Sequence, residues 1–274
     1  MKQRIATGVV FVSLMIAGIM IHEISFTILM MLLAAVCSLE WMRLLRNYFP
    51  NKNVYVLDTV LLVIANTALA SSYFFGTGIA SLDIALFILL LIVFISQVFK
   101  AKRQPQQLFW FFFTGMVYIG LPFYCAHFIV QQKTGEDTHL FKPLYLLLPI
   151  VLIWVNDSFA YLVGSRIGKH PLASKISPKK TVEGSIGGLL FTMLFAAGFS
   201  YWFKWFSTLE WMVFAVLLSC TATLGDLIES VLKRRLGVKD SGTLLPGHGG
   251  FLDRLDAMLF SLPFIAVFTA VFVH

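Results

Sequence analysis

The sequence predicts an all-α, polytopic integral membrane protein with about nine transmembrane helices; its apolar content, the spacing of its apolar runs and the placement of its basic residues each point there. Of the 274 residues, 58% are hydrophobic and only 13% are charged, and the mean hydropathy is +0.84. A water-soluble domain of this length would have too few polar residues to coat its surface, so lipid must act as solvent for much of the chain. Soluble enzyme classes are thereby excluded.

A crossing needs about 20 mostly apolar residues, and nine windows satisfy that length, near 5–21, 24–43, 54–75, 79–99, 108–130, 142–163, 185–203, 208–225 and 257–273. The first follows Lys2 and Arg4 as a signal peptide would. No small-residue cleavage site comes after it and a second apolar run begins at once, so it is expected to be a retained helix. The second window ends at Glu40 and Arg43, one turn apart and expected to pair with each other. The third and fourth meet near Gly76. The fifth begins with the Phe109–Phe113 run, which suits a lipid-facing surface or a groove for acyl chains. The sixth carries Asp157 near one end; the seventh is apolar; the eighth reaches Gly225 and continues as a polar helix; the ninth follows Asp253 and Asp256. His22, Glu23, Asp83, His127 and His139 are expected to be structural. Cys37, Cys125 and Cys220 lie in apolar runs without a CxxC spacing, so they are read as small core hydrophobes, with neither disulfide nor zinc site.

With the N-terminus in the cytoplasm, all but Lys133, Lys142 and Lys204 of the 21 lysines and arginines fall on cytoplasmic segments, the bias of the positive-inside rule. The expected location is the cell membrane, with the two long polar stretches, about 164–184 and 226–256, facing the cytoplasm. The same charge would also attract anionic headgroups without any chemistry. No repeat or low-complexity tract is apparent. The chain is expected to divide into residues 1–140, hydrophobic helices with about five spans, and residues 141–274, which carry the polar residues and the chemistry.

The first polar cluster runs from Gly225 to Asp256. If the eighth helix continues, Asp226, Glu229 or Ser230, and Lys233 share one face. Asp253 and Asp256 start the last helix, where carboxylates complement the dipole and cap free N–H groups. Capping accounts for Asp253 alone. It does not account for Asp226, Asp240, Asp253 and Asp256 gathered with His248, Lys233, Arg234, Arg235, Lys239 and Arg254 around Gly247-His248-Gly249-Gly250. Polar side chains at a membrane boundary are costly unless paired, hydrated or metal-bound. Converging carboxylates hold a hard divalent cation such as magnesium, clustered Lys and Arg bind phosphate charge, and glycines let backbone N–H groups approach anionic oxygens. The combination describes a polyphosphate site.

The second cluster comprises Asn156-Asp157-Ser158, the stretch Gly164–His170, and Ser177-Pro178-Lys179-Lys180-Thr181-Val182-Glu183-Gly184. An uncompensated acid at mid-span costs about 2.5–3.5 kcal/mol, and less near the boundary, so Asp157 requires a partner. The Ser177–Gly184 stretch has the lysines, hydroxyls and glycine of a phosphate-binding loop without being a Walker A sequence. A merely basic cytoplasmic loop would look much the same.

These residues resemble the phosphatidate cytidylyltransferase (CDP-diacylglycerol synthase) family. The carriers are Ser230-x-x-Lys233-Arg234, Lys239-Asp240 and Pro246-x-His248-Gly249-Gly250-x-x-Asp253-Arg254-x-Asp256. Upstream, Asp157-Ser158-x-Ala160-Tyr161-x-x-Gly164 and Ser177-Pro178-x-Lys180-Thr181-x-x-Gly184 also match. The resemblance covers residues 145–260 in motif detail, and the first 140 only as a run of hydrophobic helices. It implies transfer of CMP from CTP to phosphatidic acid, giving CDP-diacylglycerol and pyrophosphate, by a homodimer in the lipid bilayer with no nucleic-acid partner. It implies magnesium held chiefly by Asp226 and Asp253, with a monovalent cation such as potassium beside it.

On that reading Asp226, Asp253, Lys233, Lys239, Asp240 and Arg254 are catalytic, and Asp226, Asp253 and Asp256 serve the metal. Asp157, Ser177, Lys179, Lys180, Thr181, Ser230, Arg234, His248, Gly249 and Gly250 bind substrate. Two alternatives stay open: a CTP-dependent enzyme using another lipid phosphate, and an ion or phosphate transporter. The latter is disfavoured because the acids gather at one face rather than through the midplane.

Overall fold

The structure, a computed structural model, describes residues 2–46, 52–72, 105–133, 139–174, 176–244 and 249–272. These form nine α-helices, one π-helical turn and two short hairpins. They are α1 (Lys2–Met20), α2 (Glu23–Leu45), α3 (Lys52–Ser72), α4 (Pro105–Gly115), a π-turn (Met116–Gly120), α5 (Leu121–Val130), β1 (Gln131–Lys133), β2 (His139–Phe141), α6 (Leu144–Ile167), β3 (Pro171–Ala173), β4 (Ser177–Thr181), α7 (Val182–Trp202), α8 (Thr208–Arg235) and α9 (Leu252–Phe272). Six stretches are long and apolar enough to cross a membrane, Glu23–Leu45, Trp110–Val130, Leu144–Ile167, Val182–Trp202, Thr208–Arg235 and Leu252–Phe272. Thr7–Met20 and Tyr55–Ser71 are shorter apolar helices. The all-α membrane architecture is therefore as expected, and every predicted window but 79–99 coincides with a described helix; that window lies outside the described residues, as do Asp83 and His248. In hydrocarbon a helix satisfies its own backbone, which is why apolar runs of this length adopt it.

Two compact units divide the chain, Met1–Phe141 with Asp240–Arg254, and Lys142–Lys239 with Leu255–His274. In the first, Ile19, Phe26, Ala34, Cys37, Leu62, Ile119, Phe123 and Ala126 are fully buried. Polar ties run between its helices: Asn66 Nδ2 donates to Ser38 Oγ at 2.8 Å, and His127 Nε2 lies 3.2 Å from Thr27 Oγ1. His127 is thus structural as expected, although not isolated. Trp41 Nε1 donates to the carbonyl of Phe111 at 3.1 Å. β1 and β2 pair antiparallel, Gln131 opposite Phe141.

In the second unit, α6, α7 and α8 pack together, and Trp211, Phe206, Phe214 and Phe268 form an aromatic cluster between α8 and α9. α6 and α7 approach closely through glycine. A Cβ on Gly184 would lie 2.7 Å from the carbonyl oxygen of Ala160, and one on Gly188 would lie 2.7 Å from that of Asn156. Small residues admit such backbone contact between membrane helices. Outward-facing Leu190, Leu194 and Val267 are more than half exposed, as lipid-facing side chains are. Cys220 is also exposed, which corrects its reading as a core residue.

The helix ends follow local chemistry. α8 begins with a capping box, in which Glu210 Oε2 accepts from Ser207 N at 2.6 Å and Ser207 Oγ accepts from Glu210 N at 3.3 Å. It ends at Gly237, whose φ of 71° places it in the left-handed region, with Val238 N donating to Lys233 O at 2.9 Å. Lys233, Arg234 and Arg235 occupy the last turn, where cations complement the dipole.

Candidate active site

The eighth window continues as a polar helix past Gly225, as expected, because α8 runs unbroken to Arg235. Gly225 permits this close to α9: a Cβ there would meet the Asp256 carbonyl oxygen and Phe260 Cβ at 2.8 Å. With α9 held so near, Asp226 on α8 lies within electrostatic reach of Asp256, and Asp157 on α6 joins both. Three helices thus contribute one carboxylate each.

The hairpin β3–β4 supplies the counter-charge. Its strands pair antiparallel, Pro171 opposite Thr181 and Ala173 opposite Ser177, and its base is fastened by Glu183. That carboxylate accepts from the backbone N of Lys169 at 3.1 Å and meets His170 Nδ1 at 2.5 Å. Lys180, so positioned, forms an ion pair with Asp226 Oδ2. Ser230 Oγ donates to Asp226 Oδ1 at 3.3 Å. Asp157 is exposed and Asp226 half-buried, whereas Asp256 is buried and accepts from Ala257 N at 2.8 Å. Three acids beside Lys180 present oxygen atoms, the ligand type that hard cations take. Among the described residues, no group of three or more His, Cys, Asp or Glu side chains is placed to hold a metal ion by itself. An ion held here would therefore take further oxygens from water or phosphate.

One turn along α8, Lys233 Nζ meets Glu229 Oε2 at 2.7 Å, with the Glu229 side chain fully buried. Lys233, which the sequence reading makes catalytic, has its ammonium paired with Glu229. Thr181, also a predicted substrate contact, caps α7, its Oγ1 accepting from Gly184 N at 3.1 Å. Ser177 is half-buried on β4, and Lys179, Arg234 and Lys239 are exposed. Arg234 Nη1 folds back to the carbonyl of Val238 at 3.2 Å.

Asp240, Gly249, Gly250, Asp253 and Arg254 belong to the other unit. There Asp253 accepts from Ser241 N at 2.9 Å and Gly250 N at 2.8 Å, which joins the two ends of the segment. Gly249, at φ 86°, needs the left-handed region. A Cβ on it would lie 2.8 Å from Asp253 Oδ2 and 3.7 Å from Asp240 Cβ.

Five residues named in the sequence take roles there that sequence reasoning did not assign. Asn156, buried, accepts from Ser219 Oγ at 2.7 Å and reaches Asp157 Oδ1 at 3.3 Å through its amide nitrogen; an amide beside an acid in an apolar run was the available signal. Glu183 is a hairpin anchor. Gly164 and Gly184 pack α6 against α7 rather than only loosening a loop. Glu40 does not pair with Arg43, which is exposed; it is buried among the residues of the Asp240–Arg254 segment.

Residues 2–272 match the family described as the cytidylyltransferase family. This chain belongs to that family. It is similar to the phosphatidate cytidylyltransferase of Bacillus subtilis (strain 168), 35% identical over 273 residues that cover 99% of this chain and 98% of the relative. It is likewise similar to that of Staphylococcus aureus (strain COL), 40% identical over 155 residues, and that of Staphylococcus haemolyticus (strain JCSC1435), 39% identical over 155 residues, each covering 56% of both chains. Membership in the cytidylyltransferase family makes the chain a CTP-dependent nucleotidyltransferase, consistent with an acidic cluster set beside a lysine.

Proposed function

We propose that this membrane cytidylyltransferase transfers CMP from CTP to phosphatidic acid, forming CDP-diacylglycerol and pyrophosphate. The observation that carries the reading is the meeting of Asp157, Asp226 and Asp256 beside Lys180, in a family whose relatives bear the name of this reaction. An oxygen of the lipid phosphate bonds to the α-phosphorus of CTP, and the bond from that phosphorus to the α,β-bridging oxygen breaks, so the electron pair leaves with pyrophosphate. A phosphate oxyanion is already nucleophilic near neutral pH, so positioning and charge neutralisation suffice without a strongly perturbed base.

We assign magnesium to Asp226, on its acidic surroundings, and to Asp253, on the resemblance of its motif, with Asp256 supporting through water. Bound there, the ion supplies charge neutralisation for the triphosphate. Lys180, beside Asp226, would receive a phosphate oxygen of the substrate. Lys179, Arg234, Lys239 and Arg254 supply further positive charge, Asp240 orients these bases, and Ser177, Ser230, Thr181, His248, Gly249 and Gly250 complete the substrate contacts. A potassium ion beside the magnesium, a homodimer and a cytoplasmic placement of the N-terminus and the polar segments belong to the same proposal, the last supported by the basic-residue bias.

The test supplies radiolabelled CTP and phosphatidic acid to purified protein in lipid nanodiscs, with magnesium or with a chelator. Labelled CDP-diacylglycerol should form only with the metal. Label entering an isoprenoid-type lipid phosphate in preference to phosphatidic acid would overturn the substrate assignment. Intermolecular crosslinking in native membranes tests the dimer, and reaction of engineered cysteines near each terminus with an impermeant reagent tests the orientation.

A further inference from the structure

Glu40 is a buried acid near the C-terminal end of an apolar helix, only 2% exposed, and it lies in the part of the chain where the family resemblance has no motif detail. Its carboxylate accepts three hydrogen bonds from residues about two hundred positions away. Oε1 takes Phe251 N at 3.1 Å, and Oε2 takes Leu252 N at 2.9 Å and Ser241 Oγ at 3.2 Å. Two of these donors are backbone N–H groups at the start of α9, which have no partner within the helix. Gly242 and Gly250 close over the same carboxylate, and a side chain on either would collide with it. Ser241 is shared, because its Oγ donates to Glu40 while its backbone N donates to Asp253. Burying a carboxylate is costly unless its hydrogen bonds are made, and here every bond goes to the segment that carries Gly249, Gly250 and Asp253.

We infer that Glu40 is a positioning residue for the reaction: it holds both ends of the Asp240–Arg254 segment, and through Ser241 it sets where the Asp253 carboxylate is presented. The inference rests on the proposed role of Asp253 in the active site. A carboxamide at position 40 has the size of the carboxylate but one acceptor oxygen, and its NH2 group would face an N–H or O–H donor. In either orientation one backbone N–H, of Phe251 or of Leu252, then loses its acceptor. Displacements of about 1 Å at a reacting centre cost on the order of a hundredfold in rate.

The experiment measures Glu40→Gln, Ser241→Ala, Asp253→Asn and Arg43→Ala as purified full-length proteins. For each, kcat and KM for CTP per folded enzyme are read together with thermal unfolding and hydrogen exchange of the peptide containing Phe251 and Leu252. Glu40→Gln should lower kcat/KM by on the order of tenfold to a hundredfold, with part of the loss in KM, and should speed exchange at Phe251 and Leu252. Ser241→Ala should show a smaller loss of the same kind, and Arg43→Ala, on the exposed side of α2, none. A merely structural role would reduce the folded fraction and leave KM unchanged. Unchanged kcat/KM and exchange in Glu40→Gln would overturn the inference; if that variant does not fold, Ser241→Ala decides in the same way. Normal turnover in Asp253→Asn would instead overturn the assignment of Asp253, whatever Glu40→Gln shows.

Discussion

Replacing Lys233 by methionine removes one half of a buried ion pair and leaves the other in place. Lys233 Nζ and Glu229 Oε2 are 2.7 Å apart, with side chains 11% and 0% exposed. At an effective dielectric of about 20, the attraction at that separation is about 6 kcal/mol. Desolvation of the two ions offsets most of it, so the pair as a whole is worth little relative to apolar residues of the same size. Removal of one partner is different, because Glu229 keeps its desolvation cost and loses its counter-ion; the expected loss is about 3–5 kcal/mol. The double variant Glu229→Gln, Lys233→Met should regain most of that loss. Denaturant or thermal unfolding of the purified enzyme in one defined micelle, run as a double-mutant cycle, measures both quantities. Stability of Lys233→Met within about 1 kcal/mol of the parent would refute the reasoning. The same cycle addresses function: if the double variant regains stability but not turnover, Lys233 contributes a phosphate contact beyond its pairing with Glu229.

Asp226→Asn should separate chemistry from stability. Its pair with Lys180 is partly exposed, so unfolding should shift by no more than about 1 kcal/mol, while turnover falls on the order of a hundredfold; near-normal rate at limiting magnesium would remove Asp226 from the metal site. Lys180→Met should likewise fold normally and lose at least about tenfold in kcat/KM, with Lys180→Arg keeping part of the rate despite its different geometry. Gly184→Ala should destabilise by about 1–3 kcal/mol, because the new methyl meets the backbone of α6. Gly198→Ala on the same helix, where nothing lies within 4 Å, should be neutral or stabilising by up to about 1 kcal/mol. Equal melting temperatures for the two glycine variants would refute the close-crossing account of α6 and α7.

Apolar run length and polar residues placed where lipid would penalise them were legible in the sequence without coordinates. The windows 24–43 and 185–203 match helices Glu23–Leu45 and Val182–Trp202 to within a few residues, since a hydrocarbon environment leaves such runs little alternative to a helix. Asp157, Asp226 and Asp256 stood out for the same reason: each sits in or beside an apolar stretch and needs a partner there. Which partner each has depends on helix rotation and crossing, and these follow from contacts summed over whole faces rather than from a local pattern. Lys180 was visible as a basic residue in a polar loop, but only the β3–β4 hairpin and its Glu183 anchor bring it to Asp226. Glu40 shows the limit most clearly. Its nearest charge in sequence suggested Arg43, one helical turn away, whereas the fold offers Ser241, Phe251 and Leu252, three donors that satisfy a buried carboxylate better than one exposed guanidinium.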